Sequence, residues 1–331
     1  NSEGSDTVNA PRVVIVGAGV AGLLAASRLR GSCDVVVVDK GRGVGGRMAT
    51  RRIGDATFDH GAQFITAHTP EFAAVVAGWE AAGVVRPWYR GRVGPDGVDD
   101  ADGHVRFRGV ATMNDVARHL AGDLDIRRGT RVTALERAAA GWILHLDDGN
   151  TLDADAVLLT APVPQSLELL AAGDVELASE DRDALGDVRY DPCIAVLAPL
   201  RGASGLHEPG AVDPDGGPID WMADNHMKGV SSASAVTIHA DAEFSTAHWE
   251  STDELVITEL LRAAALDAEP IEQAVQVQRW RYARPAVLHS QRCLVASGVP
   301  TLIWAGDAFG GAKVEGAVLS GIAASEALAR R

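Results

Sequence analysis

Six residues near the start of the chain could hold phosphates. Gly17-Ala18-Gly19-Val20-Ala21-Gly22 is a Gly-x-Gly-x-x-Gly run. The first glycine permits a tight turn, the second lets backbone approach a pyrophosphate, and the third lets a helix pack close to a strand. Arg12 to Val16 before it is a β-branched run, and Val20 to about Arg30 after it reads as a helix. That helix would aim its free N–H groups and positive dipole end at the phosphates. Asp39 closes the next valine run, Asp34 to Asp39. There a carboxylate would accept hydrogen bonds from an adenosine ribose and repel a 2′-phosphate, so FAD or NAD is expected rather than NADP.

Two further runs decide for FAD. Gly45-Gly46-Arg47 resembles the doublet-glycine motif of flavoprotein oxidases and reductases, which brings backbone and a fixed positive charge to the FAD pyrophosphate. Thr301-Leu-Ile-Trp-Ala-Gly306-Asp307 resembles the second FAD motif of two-dinucleotide-fold flavoproteins, whose Asp binds a ribityl hydroxyl. The helix that begins near Glu315-Gly316-Ala317 would turn its N-terminus toward the flavin pyrimidine edge, where reduced flavin carries negative charge.

These motifs need a scaffold that brings both ends of the chain together. Valine runs bounded by turn residues suit strands buried on both faces of a parallel sheet. Thr69-Pro70 reads as an N-cap followed by Pro at the first helical position, with a stop at Gly83. Arg90 to Gly109 reads as a loop or weak hairpin, Met113 to Leu120 as a helix, and Arg131 to Leu135, Trp142 to Leu146 and Ala156 to Thr160 as strands, with Asp147 to Asn150 as the turn between the last two. Ile194 to Leu197, Ala235 to His239 and Leu302 to Ala305 read as strands, Thr252 to Ala265 and Val314 to Ala329 as helices, and Glu208 to Pro218 as a loop.

The expected fold class is α/β. A Rossmann-like FAD-binding domain of parallel sheet plus β-meander would use residues 12–66, 110–165 and 276–331. An inserted α+β substrate domain would use 67–109 and 166–275, after a flexible N-terminus over 1–11.

Composition narrows the function. In 331 residues there are 30 Lys+Arg and 45 Asp+Glu, a formal charge of −15, which argues against nucleic acid and against an anionic membrane surface as partners. Cys33, Cys193 and Cys293 are odd in number and far apart, so no disulfide framework or Cys-x-x-Cys site is expected, and the scattered histidines make no metal site. No targeting segment and no membrane-length apolar run is visible, so a cytoplasmic location is expected. Oligomeric state is open.

A fourth segment carries a family resemblance. Asp59-His-Gly-Ala-Gln63-Phe-Ile-Thr66, with Gly45-Gly46-Arg47, Leu159-Thr-Ala-Pro162-Val-Pro164, Arg279-Trp280-Arg281-Tyr282 and Gly306-Asp307, is similar to the renalase family of amine-oxidase-like flavoproteins. That resemblance runs from about Arg12 to Ala329. It implies non-covalent FAD and an oxidase that returns the 2-dihydro, and sometimes 6-dihydro, isomers of NAD(P)H to NAD(P)+. The resemblance also implies hydride passed to flavin, O2 reduced to hydrogen peroxide, and a role in metabolite repair. Motifs and resemblance together give a cofactor-binding set of Gly17, Ala18, Gly19, Val20, Ala21, Gly22, Asp39, Lys40, Gly46, Arg47, Met48, Gly61, Ala62, Gln63, Phe64, Val132, Thr160, Ala161, Gly306, Asp307, Glu315, Gly316 and Ala317.

Candidate catalytic residues are Gln63, His239 and Arg281. Hydride transfer needs no strong base, only a donor carbon held over the flavin. Arg279, Arg281, Arg284 and Lys228 are candidates for substrate phosphate or carboxamide, or equally for ion pairs. His239 could equally be a satisfied core histidine. Trp221, Trp280 and Tyr282 could stack on a nicotinamide or fill the core, and Lys313 could lie near the ring. An amine oxidase or desaturase of the same superfamily, and a flavin-binding protein without turnover, are the alternatives. Three Tyr leave little for a two-tyrosine cage.

Overall fold

The computed structural model describes residues 10–95, 97–99 and 102–330. Most of the expected flexible N-terminus, 1–9, lies outside the described residues.

The valine runs set the first layer. Val13 and Ile15 serve the core on one face of the sheet and Val14 the core on the other, the two-sided burial that continuous apolar strands require. Strands Arg12–Val16, Asp34–Asp39, Asp125–Arg128, Ala156–Leu159 and Leu302–Trp304 run parallel, and Leu294–Val295 is antiparallel at one edge. Across the sheet the order is 294–295, 302–304, 156–159, 12–16, 34–39, 125–128. Helices Val20–Leu29, Pro70–Ala81, Asp115–Ala121 and Lys313–Ala329 cover one face. The other face meets an antiparallel meander of Val132–Ala138, Gly141–Leu146 and Thr151–Ala154, together with helix Val163–Ala172. The expected parallel sheet and meander are thus present.

A second sheet is wholly antiparallel. Its order is Ala211–Val212, Ile219–Asp224, Ala235–Ala240, Arg189–Pro199, Gln276–Val287. Helix Asp253–Ala264 packs its apolar stripe on one face. The other face lies over strand Ala56–Asp59, where Ala56 and Phe58 meet Leu197 and Ala235.

Several expectations are corrected. Residues 276–287, expected in the FAD-binding domain, pair with Arg189–Pro199 in the second sheet. Residues 70–85, expected in the substrate domain, bury Phe72, Val76, Trp79 and Val85 against the first sheet, and Leu177 and Leu185 do so on its other side. Hydrophobic contact rather than chain order decides these boundaries. Of the loop and the hairpin expected over Arg90 to Gly109, the structure has the hairpin: Val85–Arg90 pairs with Val105–Gly109, and Arg92–Gly94 with Gly97–Asp99. The turn at Asp147 to Asn150 leads into Thr151–Ala154, a strand whose alternation is too short to signal itself in sequence. The Glu208 to Pro218 loop supplies the edge strand Ala211–Val212. Among the described residues no helix is long and apolar enough to cross a membrane, no group of His, Cys, Asp and Glu could hold a metal, and the cysteines are free.

Candidate active site

The parallel strands end where ligands bind in open α/β sheets. Gly17 turns there with φ +116° and donates its N–H to the Val38 carbonyl at 2.8 Å. A β-carbon on Gly17 would strike Thr160 Oγ1, and one on Gly22 would strike the Gly17 carbonyl. Thr160 Oγ1 donates to the carbonyls of Val16 and Gly17 at 3.0 and 3.1 Å. Protein packing therefore explains these two glycines. Gly19 is different: a β-carbon there meets nothing within 4 Å. Gly46, at φ +53°, would meet only the Gly19 Cα, 3.6 Å away. The two runs are stitched together by the Gly45 N–H to the Ala18 carbonyl at 2.9 Å. The result is a hollow walled by backbone at the start of a helix, the cradle a pyrophosphate needs. Asp39 closes one end, accepting from the N–H groups of Ala18 and Gly41, each at 2.6 Å, with lone pairs to spare for a ribose.

At the opposite end Gly306 follows the last parallel strand with φ +140°, and its N–H is held by Ser320 Oγ at 2.8 Å. Asp307 makes a two-pronged ion pair with Arg47 at 2.6 and 2.7 Å. Arg47 also donates to the carbonyls of Tyr282 (3.3 Å) and Ala283 (3.0 Å). Burial would depress this guanidinium, but Asp307 outweighs it and holds its pKa above the ordinary value.

Above the cleft, Asp59 ties the layers together. Its Oδ1 accepts from Thr50 Oγ1 (2.9 Å) and the Met113 N–H (3.0 Å), and its Oδ2 from Lys228 Nζ at 3.0 Å. Both charged side chains are 0 % exposed. The Asp59 carbonyl accepts from Thr237 Oγ1 (3.0 Å) and Gln63 Nε2 (2.6 Å). Burial pulls the Lys228 ammonium below the usual lysine range, against the opposing pull of Asp59. The next residue, His60, stacks on Trp280 with centroids 5.3 Å apart. Its carbonyl accepts from Trp280 Nε1 and pairs with His239 Nε2, both at 3.1 Å. Burial, then Arg51 and His239, push His60 down to about 4. Burial also takes His239 down to about 4, although its bond to the His60 carbonyl opposes this. Phe64 leans on Trp221 at 5.3 Å and on Tyr89 at 6.4 Å.

Two family models match the chain. Residues 15–79 match an NAD(P)-binding Rossmann-like domain, and residues 80–329 match the flavin containing amine oxidoreductase family. The chain belongs to the flavin containing amine oxidoreductase family.

Within this family the chain is renalase-like. It is 26 % identical to renalase of Mus musculus over 96 % of this chain and 99 % of that protein. Solved structures share the fold: a candidate protoporphyrinogen oxidase from Exiguobacterium sp. (TM-score 0.72, 15 % identity, 97 % and 99 % covered) and a putrescine oxidase bound to putrescine (0.69, 16 %, 97 % and 99 %). The flavin amine oxidoreductase is FAD-dependent, and the open hollow at Gly19 and Gly46 fits such a cofactor.

The family member's geometry sorts the sequence candidates. Gly17, Ala18, Gly19, Gly22, Asp39, Gly46, Arg47, Thr160, Ala161, Gly306 and Asp307 lie along the strand ends. Val20, Ala21 and Met48 bury their side chains in the core, so only their backbone can face a ligand. Val132 likewise points into the core beneath the sheet. Lys40 reaches Gln165 Oε1 at 3.4 Å. Gly61 is demanded by the Arg47 carbonyl, and the Ala62 N–H binds that same carbonyl at 2.8 Å. Gly316 is demanded by the Gly311 carbonyl, with Ala317 buried beside it. Glu315 is turned toward protein: its carboxylate accepts from the N–H groups of His68 (3.0 Å) and Thr69 (2.9 Å) and from Thr69 Oγ1 (2.7 Å). Burial pushes it up, but these bonds outweigh burial and hold it below the usual carboxylate range.

Three catalytic candidates separate. Gln63 and His239 both bond backbone of the Asp59 to Gly61 segment: Gln63 the carbonyls of Asp59 and Gly61, His239 that of His60. Arg281 does not join them: it lies over Trp249 at 4.8 Å, one residue along the strand from Trp280, with neighbours alternating between faces. Arg279 is bound by Asp253 and by the carbonyls of Trp249 and Ser251 on that same outer side, and Arg284 pairs with Asp220 at 2.7 Å. Lys228 is sealed on Asp59. Lys313 is exposed at φ +65° at the start of its helix. Asp59 itself was missed, although a carboxylate ending the apolar run Ala56-Thr57-Phe58 signals a buried, paired acid.

Proposed function

We propose that this flavoprotein oxidises isomeric dihydronicotinamide dinucleotides, the 2-dihydro and perhaps 6-dihydro forms of NAD(P)H, to NAD(P)+. The observation that carries the reading is the roof: Phe64, Trp221 and Trp280 with His60 and His239 held uncharged. Hydride donation from a ring carbon leaves no proton for the protein to remove, so a neutral aromatic roof over the donor suffices. FAD, when bound, supplies the hydride acceptor and the route of electrons to O2, giving hydrogen peroxide.

The chain's own residues do the rest. Backbone at Gly19 and Gly46 holds the pyrophosphate, Asp39 the adenosine ribose, and Asp307, positioned by Arg47, the ribityl chain. No Cys, His or Tyr lies between Gly306 and Glu315 to tether the ring, consistent with non-covalent FAD. His239 donates Nε2–H to a carbonyl, which assigns its tautomer and keeps it from acting as an acid. The aromatic faces stack on the substrate ring and exclude water. The FAD-binding and substrate-binding portions follow the two sheets, and metabolite repair in the cytoplasm is the role this chemistry suits.

The test is rapid mixing of the holoprotein with 2-dihydro-NAD(P). Bleaching of the flavin within seconds, with peroxide on aeration, is expected. A flavin that stays oxidised at millimolar substrate sinks the reading. Peroxide from amines with no response to dinucleotides turns it into an amine oxidase, and a flavin inert to both into a binding protein.

A further inference from the structure

Besides His60 Nδ1, two polar atoms beside the roof are buried without a hydrogen-bond partner: Gln63 Oε1 and Trp221 Nε1. Their chemistry is opposite, since an amide oxygen only accepts and an indole N–H only donates. The orientation of the Gln63 amide is dictated by its neighbours. Its Nε2 donates to the carbonyls of Asp59 at 2.6 Å and Gly61 at 3.1 Å. A turned amide would set oxygen against two oxygens, so Oε1 is the atom left to face elsewhere. Gln63 is only 6 % exposed, so water does not readily serve it.

The two atoms belong to one patch. Trp221 leans on Phe64, the residue after Gln63. In register Trp221 lies opposite His239. Thr237, two residues along and on the same face, gives its hydroxyl to the Asp59 carbonyl that Gln63 also uses. Trp221 thus shares a sheet face with Thr237, whose hydroxyl and the Gln63 amide meet on the same carbonyl.

A buried donor and a buried acceptor left unmet are each unfavourable unless a ligand meets them. We propose that Gln63 and Trp221 form the recognition site for a primary carboxamide, the group carried by a nicotinamide ring; this rests on the substrate reading above. Trp221 Nε1 donates to the carboxamide oxygen, and Gln63 Oε1 accepts from its N–H2. Neither Arg284 nor Lys228 is needed, each being engaged by a carboxylate. The geometry selects an amide over two near-isosteres. A methyl ketone offers an acceptor but no donor. An acid offers no donor and sets an anion against Gln63 Oε1.

Equilibrium binding tests this without turnover. The holoprotein is titrated with NAD+, its 3-acetylpyridine analogue and its nicotinic acid analogue, followed by flavin absorbance and by calorimetry. NAD+ is expected to bind at least about tenfold more tightly than the ketone, and the acid most weakly. Gln63→Met should weaken the amide alone and close the gap between amide and ketone. Trp221→Phe should weaken amide and ketone by similar factors. Equal binding of all three by the wild type overturns the proposal. So does a Gln63→Met loss common to all three with a shifted flavin potential, which would give Oε1 to the flavin. If the binding order holds but 2-dihydro-NAD(P) does not bleach the flavin, the carboxamide site stands and the oxidase reading falls.

Discussion

Arg47–Asp307 and Asp59–Lys228 are both ion pairs between distant parts of the chain, and they serve different ends. The first lies at the cleft, with side chains 31 % and 11 % exposed. Its Arg47 also donates to the carbonyls of Tyr282 and Ala283, so it can adapt to a ligand. The second is sealed at 0 % exposure, and every neighbour is protein. It joins strand Ala56–Asp59 of the first half to the Asn225 to Ser231 loop of the second. An open pair can take part in binding, whereas a sealed one can only hold shape, because breaking it leaves a bare charge in low dielectric.

Removing one partner of the sealed pair should have the largest effect. Lys228→Met is expected to lower unfolding free energy by about 3–5 kcal/mol, read by denaturant titration. A change under 1 kcal/mol would mean that Asp59 finds another partner and that the contrast fails.

Acid should loosen the sealed junction next. His60 and His239, at about 4, sit below the usual histidine value of about 6.5. Unfolding therefore takes up protons, so the stability is fully present above about pH 6.5 and falls toward pH 4, by up to about 1.4 kcal/mol per pH unit for each histidine. Melting curves of His239→Phe against wild type over that window should show a shallower decline; parallel curves would discount the effect.

At the open pair, Arg47→Met should lower stability by about 1.5–3 kcal/mol and speed FAD loss on dialysis, measured by released flavin. Retained FAD with lost stability would make this pair structural like the other.

Gly19→Ala adds a β-carbon to empty space in the protein, so apoprotein stability should shift by less than about 1 kcal/mol. FAD affinity should fall at least about tenfold, or about 1.4 kcal/mol, in a fluorescence titration. Unchanged affinity would place the pyrophosphate elsewhere. Smallest of all, Arg281→Ala should cost about 0.5–1 kcal/mol through the lost stack on Trp249, with flavin reduction rates unaltered.

Legibility followed the way each part is built. The nucleotide end was readable because its requirements are local: Gly17 and Gly22 leave no room for side chains, and Asp39 ends a strand beside them. Lys313–Ala329 was readable because its small residues and its boundary with the Gly-rich loop stand together in sequence. The mixed polar pattern of strand Gln276–Val287 names no partner, and only pairing with Arg189–Pro199 decides its sheet. Arg281 looked as able as Trp280 to face the cleft, and a one-residue difference on a pleated strand separated them.

By itself the sequence determined the dinucleotide cradle, the parallel sheet beneath it and the family resemblance, because turns, valine runs and glycine spacing act within a few residues. Only the tertiary structure decided which side chains meet over the cleft. Asp59 and Lys228, and Arg47 and Asp307, are each more than 150 positions apart, and burial of their polar atoms, not their spacing, selects the partners.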